Sequence, residues 1–231
     1  MQIAGLQKSS FVDYPGQPCA VVFTPRCNMN CSYCHNAHIL FGSPQLIPES
    51  DALAFLMKRQ GLLTALTVSG GEPTLQSDLA DFIKKARALG YRIKLDTNGL
   101  KPDVLSALMR EKLLDYVAMD IKGPLNKYDL ITRTKNDLTA IKKSIAILRS
   151  SDLPHEFRTT FAPGLTADDV VEAAKLVRGT EKYFLQQYNQ RSDSDPEPHP
   201  PSYVDAAAER VRAEIGVCTV RGLGDRGTIR L

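Results

Sequence analysis

Short apolar runs alternate with longer amphipathic stretches along most of the chain, and the alternation predicts a layered α/β fold. Ala20-Val21-Val22-Phe23-Thr24 is a near-continuous apolar run bounded by turn residues, as expected of a strand buried on both faces of a parallel sheet. Further strands are predicted at 65–69, 92–97, 116–122, 156–161 and 182–188. Between them the apolar positions take helical spacing, which predicts helices over 48–60, 77–89, 102–112, 136–149, 166–178 and 202–214. Some ends are marked: Pro48 starts the first helix and Gly61 stops it, while Ser77 caps the second and Gly90 closes it.

These segments make six strand-helix units. A closed eight-unit barrel averages about 31 residues per unit over about 250 residues, so the stretch 20–214 has room for six. The expected fold is therefore α/β, a partial (β/α)6 TIM-like barrel with parallel strands, in a single domain over 1–231. Residues 1–19 form a lead-in, with a short hairpin over 2–16 that ends at the Pro15-Gly16 turn. A polar, Pro-rich loop fills 191–202, and the tail 215–231 carries a last short strand at 218–222 expected to cover the barrel's edge or bottom.

Composition narrows the class. At 43% hydrophobic residues over 231 positions the chain can bury a proper core. Its 29 basic and 26 acidic residues nearly balance, which gives no general case for nucleic-acid binding. Five cysteines, three of them in one loop, do not make a disulfide framework and fit a reducing cytosol. The start, Met1-Gln2-Ile3-Ala4-Gly5, lacks a charged region followed by an apolar run, and no apolar stretch approaches the roughly 20 residues of a membrane span. The expectation is a cytoplasmic protein with neither membrane nor nucleic acid as partner.

The stretch that changes the picture is Cys27-Asn28-Met29-Asn30-Cys31-Ser32-Tyr33-Cys34, immediately beyond the first parallel strand. Three thiols within eight residues are hard to explain by packing and easy to explain by metal, because the thiolate is the ligating form. Three ligands leave one coordination position open, and an open site can bind something that reacts. A zinc site completed by His35 is the alternative, but adjacent ligands at Cys34 and His35 are awkward for one centre and a second zinc pair is missing. Elsewhere the strands end in polar residues: Ser69-Gly70-Gly71-Glu72-Pro73, Asp96-Thr97-Asn98-Gly99 and Met119-Asp120-Ile121-Lys122. In parallel α/β folds chemistry collects at these C-terminal strand ends.

Cys27-x3-Cys31-x2-Cys34, with aromatic Tyr33 before the last cysteine, resembles the cluster loop of the radical S-adenosylmethionine (SAM) enzymes, and the three strand ends resemble that family's SAM-contacting segments in the right order. The resemblance implies that Cys27, Cys31 and Cys34 hold a [4Fe-4S] cluster whose fourth iron binds SAM, with Tyr33 beside it. It implies that Gly70, Gly71 and Glu72 meet the SAM amino group. It gives Asp96, Thr97, Asn98 and Asp120 to the SAM site and a monovalent cation beside Asp96 and Asp120, as in the pyruvate formate-lyase activating enzyme. Lys122 would take the SAM carboxylate, and Arg158, before the Pro163-Gly164 turn, would be a further SAM contact.

Read without the family, the same residues have plainer roles. Gly-Gly-Glu makes a tight turn, strand-end Asp and Asn close turns, and Arg158 inside an apolar strand needs an ion-pair partner. Two carboxylates at adjacent strand ends would repel unless a cation or Lys122 sits among them. The resemblance itself has a departure at Gln186-Gln187-Tyr188-Asn189, where pyruvate formate-lyase activators have His at the position of Asn189. Cys19 and Cys218 are expected to be buried small apolar residues, His35 and His38 to shape the cysteine loop, and the lysines of 135–149 to be solvated.

Gly5-Leu6-Gln7-Lys8-Ser9-Ser10-Phe11-Val12-Asp13-Tyr14-Pro15-Gly16, running to Cys34-His35-Asn36, resembles the start of the anaerobic ribonucleoside-triphosphate reductase activating proteins. That likeness implies reductive cleavage of SAM, a flavodoxin- or ferredoxin-type reductant, and a glycyl radical enzyme as partner. An activase of another glycyl radical enzyme, a small-molecule enzyme like 7-carboxy-7-deazaguanine synthase, and an iron-sulfur electron carrier are the alternatives.

Overall fold

The computed structural model describes residues 1–40, 44–190 and 192–223. One sheet of eight strands runs in sequence order: β1 (Gly5–Ser10), β2 (Cys19–Thr24), β3 (Ala65–Gly70), β4 (Arg92–Thr97), β5 (Tyr116–Asp120), β6 (His155–Phe161), β7 (Tyr183–Gln187) and β8 (Thr219–Arg221). β2 to β8 are mutually parallel, and β1 alone is antiparallel, against β2. Parallel neighbours require crossovers, which the longer helices supply.

The crossover helices are α2 (Glu49–Lys58), α3 (Leu79–Ala88), α4 (Pro102–Arg110), α6 (Leu138–Arg149), α7 (Ala167–Lys175) and α8 (Pro201–Ile215), and the shorter α1 (Ala37–Leu40) and α5 (Tyr128–Thr132) lie at the C-terminal strand ends. Their starts are chemically explicit in two cases. Asp137 accepts from the N–H groups of Thr139 and Ala140 to open α6, and Thr166 with Asp169 forms a reciprocal capping box at α7. Ser77 does not cap α3 as the sequence suggested; Asp78 is its N-cap, with no side-chain hydrogen bond.

Alternation along each strand divides the molecule into two layers. Ile93, Leu95, Val117, Met119 and Phe157 point outward into the main core beneath the helices, with Phe82, Ile83 and Leu105. The inner face is mixed: Tyr14, Cys19, Val21, Ala65 and Tyr116 plug the N-terminal end, whereas charged side chains occupy the middle and upper levels. The architecture is the expected partial TIM-like barrel, with β1 and β8 as its two sheet edges.

One expectation is corrected. The lead-in is no hairpin within 2–16; β1 instead pairs with β2, Gly5 opposite Phe23 and Ser10 opposite Cys19, so the hairpin closes across 11–18. The short strand expected in the tail is β8, which adds a seventh parallel strand beside β7 and so covers an edge of the barrel, as expected. It is held from within by Arg221, whose guanidinium donates both Nη1 (2.8 Å) and Nη2 (3.1 Å) to the buried Glu156 carboxylate and lies 3.2 Å from the Phe184 ring centroid. The rest of the tail, 224–231, is outside the described residues. Cys19 and Cys218 are buried free thiols, as expected.

Candidate active site

The strand ends converge on one cavity of about 190 Å³ at the C-terminal face. Cys27, Cys31 and Cys34 line it together with Tyr33, Gly70, Gly71, Asp96, Thr97, Asn98, Asp120, Lys122 and Arg158, so twelve of the thirteen residues singled out from the sequence share one wall. The thirteenth is Glu72.

The cysteine loop leaves β2 through Arg26, which adopts a left-handed backbone (φ 65°). Its carbonyl accepts the Glu72 N–H at 2.9 Å, and the Thr24 carbonyl accepts the Gly71 N–H at 2.8 Å. The two glycines allow this approach. A Cβ on Gly71 would lie 1.8 Å from the Arg26 oxygen, and one on Gly70 would lie 2.3 Å from the Thr24 nitrogen. Asn36 then closes the loop by donating Nδ2 to the Gly70 carbonyl at 2.9 Å. The glycine pair thus lets the end of β3 seat the cysteine loop's backbone.

Around the thiols the donors are already in place. The Met29 N–H points at Cys27 Sγ (3.4 Å), and Asn98 Nδ2 lies 3.7 Å from the same sulfur while donating to Asn28 Oδ1 at 2.7 Å. Burial pushes the Cys27 thiol up to about 11 and raises Cys31 as well, so both are neutral at pH 7 until a metal binds. Among the described residues no three His, Cys, Asp or Glu side chains converge on a single metal-ion position. The donor set of three half-buried thiols at the rim of a cavity fits an iron-sulfur cluster, with N–H groups aimed at sulfur.

Glu72 turns away from the cavity and is fully buried. Its Oε1 accepts from the Thr74 N–H (3.1 Å), Thr74 Oγ1 and Thr97 Oγ1 (2.8 Å), and its Oε2 accepts from the Asn98 N–H at 2.7 Å. Burial still raises its pKa above the usual carboxylate value. In this geometry the carboxylate ties the end of β3 to the end of β4 and is held away from the cavity.

A chain of ion pairs crosses β4, β5 and β6. Arg158 donates Nε to Asp120 Oδ1 (2.9 Å) and Nη1 to Asp96 Oδ2 (3.4 Å); Lys122 Nζ reaches Asp120 Oδ2 at 2.9 Å; Ser69 Oγ reaches Asp96 Oδ2 at 3.2 Å. Lys94, which no motif had marked, pairs with Asp96 Oδ1. Burial would raise both carboxyls, but the neighbouring cations more than offset it: Asp96 is lowered and Asp120 falls to about 2. Burial likewise opposes the charged forms of Lys122 and Arg158, yet Asp120 and its neighbours raise both pKa values. Tyr33 is buried in the same wall with its hydroxyl unpartnered by protein, and burial drives its pKa upward.

The profile of the radical SAM superfamily matches residues 21–177. This chain belongs to that superfamily. A provisionally named glycyl-radical enzyme activating enzyme of Methanocaldococcus jannaschii is 33% identical over 204 residues, which cover 84% of this chain and 83% of that protein. A GTP 3',8-cyclase assigned in Methanothermobacter marburgensis is 33% identical over 125 residues, or 53% of this chain, and the match spans only 40% of the cyclase. Among solved structures, a domain of a pyruvate-formate lyase-activating enzyme from Bacteroides vulgatus superposes with a TM-score of 0.54 at 20% identity, covering 69% of this chain and 99% of that one. That last likeness concerns the fold. Radical SAM membership implies a [4Fe-4S] cluster and SAM, and the cavity offers a donor set for each.

Sequence reasoning missed Lys94 and gave no role to Asn28, Asn36 and Ser69, although these three lie inside the stretches it quoted. For Lys94 a signal existed: strict alternation over 92–97 puts it on the face of Asp96. For the others the signal is tertiary.

Proposed function

We propose that the protein is a glycyl radical enzyme activase, an oxidoreductase of a reducing cytosol whose partner is an anaerobic ribonucleoside-triphosphate reductase. The observation that carries this reading is the convergence of Cys27, Cys31 and Cys34 with the SAM-type strand ends on one cavity, joined to 33% identity with a named activating enzyme over most of both chains. The bound cluster would supply the electron, drawn from a flavodoxin- or ferredoxin-type reductant, that cleaves SAM into methionine and a 5′-deoxyadenosyl radical able to take hydrogen from a glycine Cα.

The chain's own residues bind, orient and shield. Cys27, Cys31 and Cys34 would hold the cluster, with the Met29 backbone N–H and the Asn98 side-chain amide Nδ2 beside the Cys27 sulfur. Gly70 and Gly71 would present backbone to the SAM amino group, and Thr97 with Asn98 would complete that side. Lys122 and Arg158 would hold the carboxylate, fixed in direction by Asp120 and Asp96. Tyr33 closes the wall against water, which an unshielded radical would not survive. The open edge between β1 and β8 suits the entry of a partner's glycine loop.

The test is partner-dependent. Reconstituted, reduced protein is mixed with SAM and the anaerobic reductase from the same cell, and the frozen sample is read by EPR. A glycine-centred doublet that requires all three components supports the assignment. SAM cleavage with no doublet, repeated with a pyruvate formate-lyase-type partner, would move the assignment to another activase or to a small-molecule enzyme.

A further inference from the structure

Lys94 lies outside every motif that carries the family likeness, yet it is one of the most completely enclosed charges in the molecule, with 3% of its side chain exposed. Two carboxylates buried at neighbouring strand ends stay ionised only beside matched positive charge, because burial strongly disfavours an unpaired carboxylate. An inorganic cation or protein side chains can supply it. Here every carboxylate oxygen already has a protein donor: Asp96 Oδ1 has Lys94, Asp96 Oδ2 has Ser69 and Arg158, Asp120 Oδ1 has Arg158, and Asp120 Oδ2 has Lys122.

The three cations are not equivalent in place. Lys122 and Arg158 line the cavity, whereas Lys94 lies beneath Asp96, one alternation deeper in the barrel, and does not line it. With Lys94 counted, three positive charges face two negative ones, so the cluster as a whole carries one unit of net positive charge behind a wall whose own four charges balance. Without Lys94 the count would balance, and Asp96 would draw Arg158 inward.

We propose that Lys94 is a built-in cation that takes the place of an alkali metal ion at the Asp96 and Asp120 pair, and so leaves Lys122 and Arg158 free to hold a ligand carboxylate without bound sodium or potassium. The ligand's identity as SAM rests on the function proposed above; the ion pair does not.

Two measurements on the cluster-reconstituted full chain decide it: SAM retention by equilibrium dialysis, and thermal melting. Each is made in sodium, potassium or N-methyl-D-glucamine chloride at equal ionic strength. Wild-type retention is expected to agree within about twofold across the salts, while Lys94→Met loses about tenfold in N-methyl-D-glucamine and regains most of it in sodium or potassium. Alkali salt should also raise the melting temperature of Lys94→Met selectively, and Lys94→Arg should behave as wild type. Alkali-dependent retention by wild type, or a Lys94→Met protein that matches wild type in every salt, overturns the proposal. If Lys94→Met does not fold, the wild-type and Lys94→Arg salt series decide alone. If no SAM is retained in any salt, the radical SAM reading of the cavity fails, and the melting comparison still decides the role of Lys94.

Discussion

Glu72 Oε2 accepts the backbone N–H of Asn98 at 2.7 Å, so the carboxylate at the end of β3 is the clamp that sets the end of β4. Asn98 in turn reaches Cys27 Sγ and Asn28, which carries the clamp through to the cysteine loop. Glu72→Gln keeps the shape but replaces one acceptor oxygen with a donor, leaving the Asn98 or Thr74 and Thr97 donors facing another donor. The expected cost is about 1–3 kcal/mol of stability, measured by urea unfolding, with weaker SAM retention at unchanged iron content. Unchanged stability would place the carboxylate elsewhere.

Gly71→Ala should break iron loading while sparing the sheet. The new Cβ has the Arg26 carbonyl at 1.8 Å and the Leu40 side chain at 2.7 Å, and backbone cannot yield as a flexible side chain would. Iron and sulfide content after reconstitution should fall severalfold, with far-ultraviolet circular dichroism close to wild type. Full loading would mean that the loop's exit does not position the thiols.

Much of this arrangement was legible because apolar runs and alternation are local signals. The runs at 20–24 and 65–69 became β2 and β3 almost residue for residue, and the position of the cysteine loop beyond β2 followed from strand polarity alone. Pairing across strands was not legible. Nothing local in Gly71-Glu72-Pro73 says that the carboxylate faces Thr97 and Asn98, because that depends on the register of β3 with β4. The lead-in failed for the same reason: Gly5–Ser10 reads as one arm of a hairpin, but its partner is β2, beyond the turn. Arg221 and Glu156 sit 65 residues apart, so their pairing carries no local trace.

That pair gives the tail its expected role. Arg221→Ala would leave the buried Glu156 carboxylate with Tyr116 as its side-chain donor and no cation, a loss of about 1–3 kcal/mol because Arg221 itself is a third exposed. Denaturant unfolding should therefore show the tail to be structural, with iron loading retained in whatever remains folded. A loss below about 1 kcal/mol, as exposed pairs give, would detach β8 from the barrel's stability.

Asp120 should contribute to the loss of stability at strongly acidic pH. Its folded pKa of about 2 lies below its ordinary value of 3.8 because Arg158 and Lys122 outweigh burial, so the folded state favours the ionised form. The stabilisation is complete above about pH 4 and is lost as pH falls through 2, an effect of about 2 kcal/mol. Asp120→Asn should be less stable than wild type at pH 7 and show a flatter profile between pH 4 and 2. An identical profile would mean that this carboxyl is not held by the cations around it.

The most direct test of the site is the EPR spectrum of the reduced, reconstituted cluster with and without SAM, with Cys31→Ala alongside. A [4Fe-4S] signal that SAM shifts in the wild-type protein, and that is lost or unresponsive in Cys31→Ala, is the expected result. A cluster whose spectrum ignores SAM, or that assembles equally well without Cys31, would contradict the assignment of this cavity.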